Sequence, residues 1–462
     1  MNERRRIWSR PGLLVAVCAA VGLGFAARAQ QKPGVTPPAM PMPRADDSDL
    51  PADDEISAAD LARAVGEAEA ESDGGVPAQP AEIRQIPAAA ANAVAQHVEH
   101  AQGLSLWKNA RLVEGAYVAT TEDGKQARLT IDPALQAQMV KLLKLYRPVG
   151  AAVVAIDPKT GKVLALAEYG EGHATKPLYP AASIFKIITG AALIEKGISP
   201  DDETCYHGGK HGLKEKLLVD KPRLDRRCLS LSMALAKSAN VVFAKMAVKH
   251  LDANELRKEA ERFLFNRPFF DQPVEQSSAN IPNSGLDFAK SAAGFGEVKL
   301  SPMHAALIAA AVGNGGVAEE PSLIDEIDGQ EMPPTGSMRL LNEETAGTLR
   351  DMMKLTVSQG TATASFRERH RNILGDIEVA GKTGSLSTHT RGPFKDYSWF
   401  VGFAPADDPK IAVAAVVVNG LKWRVHAPFI AREALKAYLV GGPLGQPPAA
   451  RVRHARRHKK HS

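Results

Sequence analysis

The chain has 462 residues, 44% of them apolar and 24% charged, with three cysteines. That composition excludes a disordered polymer and a disulfide-dense scaffold, and the length is about three times the roughly 150 residues of a typical domain. The net charge of +5 suggests a basic protein, yet six Lys and Arg residues fall in Arg451–Ser462, and subtracting them from +5 leaves −1. The basic character is therefore local, which excludes nucleic-acid binding by the chain as a whole.

In chain order, residues 1–29 place Arg4, Arg5, Arg6 and Arg10 before an apolar run from Gly12 to Ala27 and the small residue Ala29. This is the layout of a secretory signal. The run of 16 residues is shorter than the roughly 20 that span a bilayer, which favours a cleaved signal, with an uncleaved signal anchor as the alternative. The bulky Val17 before Cys18 argues against lipid attachment. Residues 30–83 are rich in Pro, Ala, Asp and Glu, with twelve acids against the single base Arg63 in residues 46–82. Such a segment buries too little apolar surface to offset its ordering entropy and is predicted to be a disordered linker. A short segment, 84–127, precedes the main domain at 128–441.

Asp132 and Pro133 form an N-cap and N1 pair that opens a helix through Tyr146. Gly150–Asp157 is predicted to be a buried strand, Asp157–Gly161 a tight turn and Lys162–Tyr169 the returning strand. The middle of the domain, Ser183 to Leu355, is mostly helical, with Ala-rich stretches such as Leu229–His250 and Pro302–Val312. Three further strands, Ile377–Ala380, Tyr397–Ala404 and Ile411–Asn419, lead to a helix at Pro428–Val440, closed by Gly441 and Gly442. The expected fold is α+β, with one antiparallel sheet assembled from both ends of the domain, flanked by helices, plus a helical subdomain. Residues 442–462 form a basic tail expected to be disordered. It is either simply solvated or a contact for anionic headgroups or polymer.

Export makes disulfides permissible, and Cys205 and Cys228 remain once the signal is set aside. A bridge between them would close a loop of about 22 residues and contribute roughly 3 kcal/mol. Two buried free thiols are the alternative. Neither cysteine has a second thiol at ligand spacing, so no metal site is expected.

Three short motifs carry chemistry. In Ser183-Ile184-Phe185-Lys186 the third residue on returns to the same helical face, so the Lys186 amine can approach the Ser183 hydroxyl. Serine needs such a base, and a lysine serves once burial and nearby cations lower its pKa. Ser238-Ala239-Asn240 interrupts an apolar helical stretch and suggests a turn offering a hydroxyl and an amide. Lys382-Thr383-Gly384-Ser385 follows a strand, where a sheet edge lets a substrate lie alongside while Lys382 attracts a carboxylate. Each motif has a decoy: Ser105-Leu106-Trp107-Lys108, Ser278-Ala279-Asn280, expected in a loop, and Lys159-Thr160-Gly161, explained by a turn.

Taken jointly, the three motifs resemble the active-site set of penicillin-binding proteins and serine β-lactamases. The resemblance extends over residues 128–441 through Leu129–Gln136, Gly150–Ala167, Gly294-Phe295-Gly296 with Ser301-Pro302, Gly360-Thr361-Ala362 and Trp399–Pro405. It implies a β-lactamase/transpeptidase-like fold and a peptidoglycan D,D-transpeptidase that is acylated by β-lactams, without cofactor or metal. Ser183 would attack the penultimate D-Ala carbonyl of a stem peptide, and Lys186 would take its proton. Ser238 would relay a proton to the leaving amine, and Asn240 would hold the substrate amide. Lys382 and Thr383 would bind the terminal carboxylate, beside Gly384, and the amides of Ser183 and Ser385 would form the oxyanion hole.

The implied partners are peptidoglycan stem peptides, β-lactams and cell-wall synthesis proteins, with anionic membrane or wall contact through the tail. The implied location is the periplasm or the outer face of the bacterial cytoplasmic membrane. Carboxypeptidase, β-lactamase and a non-catalytic β-lactam or muropeptide receptor are the alternatives. The absence of a Glu-x-x-Leu-Asn pattern between Asn240 and Lys382 disfavours a class A β-lactamase, and Asn240 itself disfavours class D. Residues 84–128 are fewer than the pedestal domain of division and elongation transpeptidases, so membership of either machinery stays open.

Overall fold

The computed structural model describes residues 102–270, 274–369, 371–388 and 393–441. The apolar runs near the two ends of the domain meet in one sheet. Gly150–Ile156 (β1) and Val163–Gly170 (β2) form a hairpin, joined by Ala380–Thr388 (β3), Lys395–Ala404 (β4) and Ile411–Asn419 (β5). The order is β3-β4-β5-β1-β2, antiparallel throughout. Every residue of β1 and β5 is buried, because helices cover both faces of the sheet.

Side chains alternate across a strand, so each run feeds two cores. Ala151, Val153 and Ala155 pack with Leu135 and Met139 of the helix Pro133–Tyr146 (α1) and with Ile430 and Ala434 of the C-terminal helix Ala427–Leu439. Ala152, Val154 and Ile156 face the other way, into a core shared with the helical subdomain and the helix Pro302–Gly313. As its cap residues predict, α1 starts where the Asp132 carboxylate accepts from the Leu135 amide, with Pro133 at its first position.

The helical subdomain holds Lys186–Glu195 (α2), Leu231–Ala236 (α3), Asn240–His250 (α4) and Glu343–Ser358 (α5) among its helices. Cys205 and Cys228 stand directly opposite one another on the paired strands Glu203–Tyr206 and Arg227–Ser230 and form a disulfide. Gln126–Leu129 runs across the expected boundary at residue 128 and pairs with Ile324–Ile327, so the preceding segment shares a second sheet with the main domain.

Two elements differ from the sequence expectation. The strand expected at Ile377–Ala380 begins at Ala380 instead and runs through the Lys-Thr-Gly motif to Thr388. Its glycines do not end the strand; they permit close approach, since a Cβ on Gly381 would lie 2.3 Å from Cζ of Phe400. Ser278–Asn280, expected in a loop, forms a short strand against Glu297–Leu300, because Ala279 is buried opposite Val298. The expectations for residues 1–29, 30–83 and 442–462 lie outside the described residues.

Candidate active site

Ser183 lies in a 3-10 turn, Ala182–Phe185, that leads directly into α2. One turn on, the Lys186 amine is fully buried and lies 2.9 Å from Ser183 Oγ. It also donates to Asn240 Oδ1 at 2.8 Å and to the Ala293 carbonyl at 2.5 Å. Burial, and secondarily the charge of Lys382, hold the Lys186 amine well below the usual lysine range. A neutral amine has two N–H donors and one lone pair. The two carbonyl acceptors take the donors, which leaves the lone pair for the Ser183 hydroxyl proton.

Ser238 occupies the turn between α3 and α4, with φ of 51°. Its hydroxyl accepts from Lys382 Nζ at 3.1 Å. Asn240 is the first residue of α4, and its amide is oriented at both ends, with Oδ1 on Lys186 and Nδ2 donating to the His211 carbonyl at 2.7 Å. Lys382 reaches in from β3, donates also to the Thr383 carbonyl at 2.7 Å, and is pushed down to about 7 by burial. Thr383 Oγ1 shares a hydrogen bond with Thr361 Oγ1.

The three motifs thus converge. Ser183, Ser238, Asn240, Thr383 and Ser385 line one cavity of about 830 Å³. Gly384, between the lining residues Thr383 and Ser385, packs closely enough that a Cβ would press on Trp399 and Ile184 at 3.2 to 3.3 Å. β3 is an edge strand of the sheet, paired only with β4 within it. A smaller cleft of about 440 Å³ around Asp351, Lys354 and Glu378 contains none of these residues.

The decoys have other roles. The Ser105 hydroxyl bonds the Gln102 carbonyl within a short helix. At Lys159–Gly161 the Asp157 carboxylate caps the Lys159 amide and Gly161 takes φ of 72° in a turn.

Sequence reasoning assigned no role to the Ala293 carbonyl, the His211 carbonyl or Thr361. Two are backbone groups with no side-chain signature, although the paired glycines of Gly294-Phe295-Gly296 flag a special backbone beside Ala293. Asp396, Ser398, Trp423 and His426 also line the cavity and carried no motif.

The lysine environments fix a pH profile. With the roles expected from the sequence, Lys186 as a neutral base and Lys382 as a charged carboxylate partner, acylation is expected to speed up as Lys186 loses its proton and to slow above about 7 as Lys382 loses its own. The two amines repel one another, so both limbs belong to the pair. A rate that climbs steadily through the whole alkaline range would remove Lys382 from the role of charged carboxylate partner.

A family model described as penicillin binding protein transpeptidase domain matches residues 151–436. Peptidoglycan D,D-transpeptidase PbpA of Mycobacterium tuberculosis is 27% identical over 375 residues, which cover 69% of this chain and 74% of that protein. Stage V sporulation protein D of Bacillus subtilis is 27% identical over 346 residues, covering 64% of this chain and 50% of that protein. Among solved structures, the imipenem acyl-enzyme complex of penicillin-binding protein A from M. tuberculosis superposes with a TM-score of 0.56 at 25% identity, over 68% of this chain and 79% of that one. The D,D-transpeptidase domain of a peptidoglycan glycosyltransferase from Eggerthella lenta shares the fold, with a TM-score of 0.54 at 23% identity over 70% of this chain and 94% of that one.

Proposed function

The chain belongs to the penicillin-binding protein transpeptidase family, and on that footing we propose that it is a peptidoglycan D,D-transpeptidase working through an acyl-Ser183 intermediate. The observation that carries this reading is the 2.9 Å contact between the buried Lys186 Nζ and Ser183 Oγ, with Ser183 facing the cavity that Ser238, Asn240 and Thr383 also line. Two relatives support it, one named a D,D-transpeptidase and one solved as an imipenem acyl-enzyme.

In the first half-reaction Ser183 Oγ attacks the penultimate D-Ala carbonyl and its proton passes to Lys186 Nζ. The new oxyanion is held by the backbone amides of Ser183 and Ser385, a type of donor whose loss typically costs about 3 kcal/mol in the transition state. The stem peptide lies along the open side of β3 with its terminal carboxylate at Lys382 and Thr383, and its amide is held by Asn240. As the tetrahedral species collapses, the C–N bond breaks and the departing D-Ala amine takes a proton through Ser238. An amine from a second stem peptide then attacks the ester, gives up its proton to the same relay, and restores the Ser183 hydroxyl as the cross-link forms. A β-lactam follows the first half-reaction only, because its opened ring stays attached and blocks the acceptor.

We place this activity outside the cytoplasmic membrane, in the periplasm or on the membrane's outer face. The signal-like residues 1–29 and the Cys205–Cys228 disulfide support that location. Contact of the basic tail with anionic membrane or wall polymer, and association with cell-wall synthesis proteins, belong to the same proposal.

The test uses the purified protein with fluorescent penicillin, followed by proteolytic mapping, and separately with a D-Ala-D-Ala donor peptide and an amine acceptor. The expected results are a long-lived adduct on the peptide containing Ser183 and an amide-linked product. An adduct on another peptide removes the nucleophile; rapid loss of the label favours β-lactamase, and a free-acid product favours carboxypeptidase.

A further inference from the structure

The disulfide closes a loop, Tyr206–Arg227, whose Lys and Arg side chains the acyl-transfer chemistry does not use. This loop is unusually basic, with seven Lys and Arg residues against the three acids Glu215, Asp220 and Asp225. Two of the acids are already engaged. Lys245 of α4, almost fully buried, pairs with Asp220 at 2.7 Å and with Asp225 at 3.1 Å, and donates to the Cys205 carbonyl at 2.8 Å. Asp225 also holds His207 at 2.5 Å. The cations are left over: Lys214, Lys216, Lys221, Arg223, Arg226 and Arg227 are exposed, and among the described residues none of them forms an ion pair.

The loop is fixed at both its base and the catalytic cavity. Its base is held by the disulfide and by Lys245. At the cavity, the Val241 amide donates to the Lys210 carbonyl at 3.2 Å and Asn240 Nδ2 to the His211 carbonyl at 2.7 Å. His211 and Gly212 line the cavity itself. The braced, cation-rich arm therefore reaches the rim of the site at His211 and Gly212, with Lys214 and Lys216 following along the chain, and its charge acts on whatever extends out of the cleft.

We infer that this arm is a docking surface for the polymeric substrate, a peptidoglycan strand whose neighbouring stem peptides present carboxylates beside the one that reacts. The inference rests on the transpeptidase reading. Each uncross-linked stem ends in a carboxylate, so a strand of them is a polyanion, and a cationic rim holds the strand while one stem enters the cleft. A bilayer surface has matching charge but no segment continuous with a substrate in the cavity, so the position of the arm favours the strand. A small β-lactam, with one carboxylate already directed to Lys382, gains little from it.

The experiment compares the wild-type protein with a variant carrying Lys214→Gln, Lys216→Gln, Arg223→Gln and Arg226→Gln. Three measurements are made: affinity for purified uncross-linked peptidoglycan strands, affinity for phosphatidylglycerol vesicles, and the rate of labelling by fluorescent penicillin. The variant is expected to bind strands about tenfold or more weakly while labelling within about twofold of wild type. Wild-type strand binding is expected to weaken between about 50 mM and about 200 mM salt, and that of the variant to respond less. Unchanged strand affinity overturns the proposal, as does a charge-dependent loss seen only with vesicles. If the fourfold variant fails to fold, the Lys214→Gln, Lys216→Gln pair and the wild-type salt series decide the matter, and strand binding insensitive to both rejects it. A wild-type protein that penicillin does not label refutes the transpeptidase reading instead, because strand binding is measured independently of acylation.

Discussion

Ser183→Ala is expected to abolish covalent labelling by fluorescent penicillin, and Lys186→Ala to slow it by about 10²- to 10⁴-fold, the scale of a lost general base. The first substitution removes the only atom assigned to the acyl bond. The second leaves that atom in place with no acceptor for its proton, since the Lys186 amine is the basic group in contact with Ser183 Oγ. Ser105→Ala, in the decoy motif, is expected to leave labelling unchanged, because its hydroxyl donates to the Gln102 carbonyl and lines no part of the cavity.

Folding should survive the loss of Lys186. An amine buried this completely is costly to keep charged, and Lys186→Met replaces it with apolar volume at the expense of three hydrogen bonds, to Ser183, Asn240 and Ala293, at about 1 to 3 kcal/mol for each buried partner left unsatisfied. The folded-state pKa of Lys186 lies below its ordinary 10.5. Stability linked to it is therefore fully present above pH 10.5 and is lost as pH falls toward the folded value. Lys186→Met should flatten that slope. Labelling of Lys186→Ala within tenfold of wild type would reject Lys186 as the base.

The sheet and the nucleophile pair were legible because each depends on a short-range pattern. The unbroken apolar runs in Gly150–Ile156 and Ile411–Asn419 encode strands buried on both faces, and the Ser183 to Lys186 spacing encodes one helical face. The same spacing recurs in Ser105 to Lys108, and only the convergence of three distant motifs on one cavity separates them. Two things were hidden. The groups that orient Lys186 and Asn240 are the carbonyls of Ala293 and His211, and a carbonyl is present at every residue, so sequence gives it no mark. The strand expected to end at Ala380, where Gly381 and Gly384 look like strand breakers, runs on to Thr388, because here they make room for Phe400 and Trp399 of the neighbouring strand. Thr361 and Thr383 meet only through tertiary folding, and neither side chain announces the other.

Gly294→Ala is expected to damage both stability and acylation, for reasons that can be separated. Gly294 has φ of 88°, a conformation that strains any L side chain, at a typical cost of about 1 to 3 kcal/mol. Its Cβ would also stand 2.0 Å from the Ala182 carbonyl oxygen and 3.1 Å from the Ser183 amide nitrogen. Both contacts are backbone, so no side chain can swing aside, and relief requires either the Ala182–Ser183 turn or the Ala293–Gly294 segment to move. The first carries the nucleophile and the second carries an acceptor for Lys186. A misplacement of about 1 Å between reacting groups costs about 100-fold in rate, so acylation should fall by about that factor or more.

Gly124→Ala supplies the control. Its φ is 87°, yet a Cβ there meets nothing within 4 Å, so it imposes the strain without the collision and should label at the wild-type rate. The difference between the two variants in thermal stability then measures the steric contribution alone, expected at about 1 to 3 kcal/mol, the usual cost of overpacking. If Gly294→Ala labels as fast as Gly124→Ala and loses no more stability, the wall behind Ser183 yields without disturbing the reacting atoms, and the position of the nucleophile is set elsewhere.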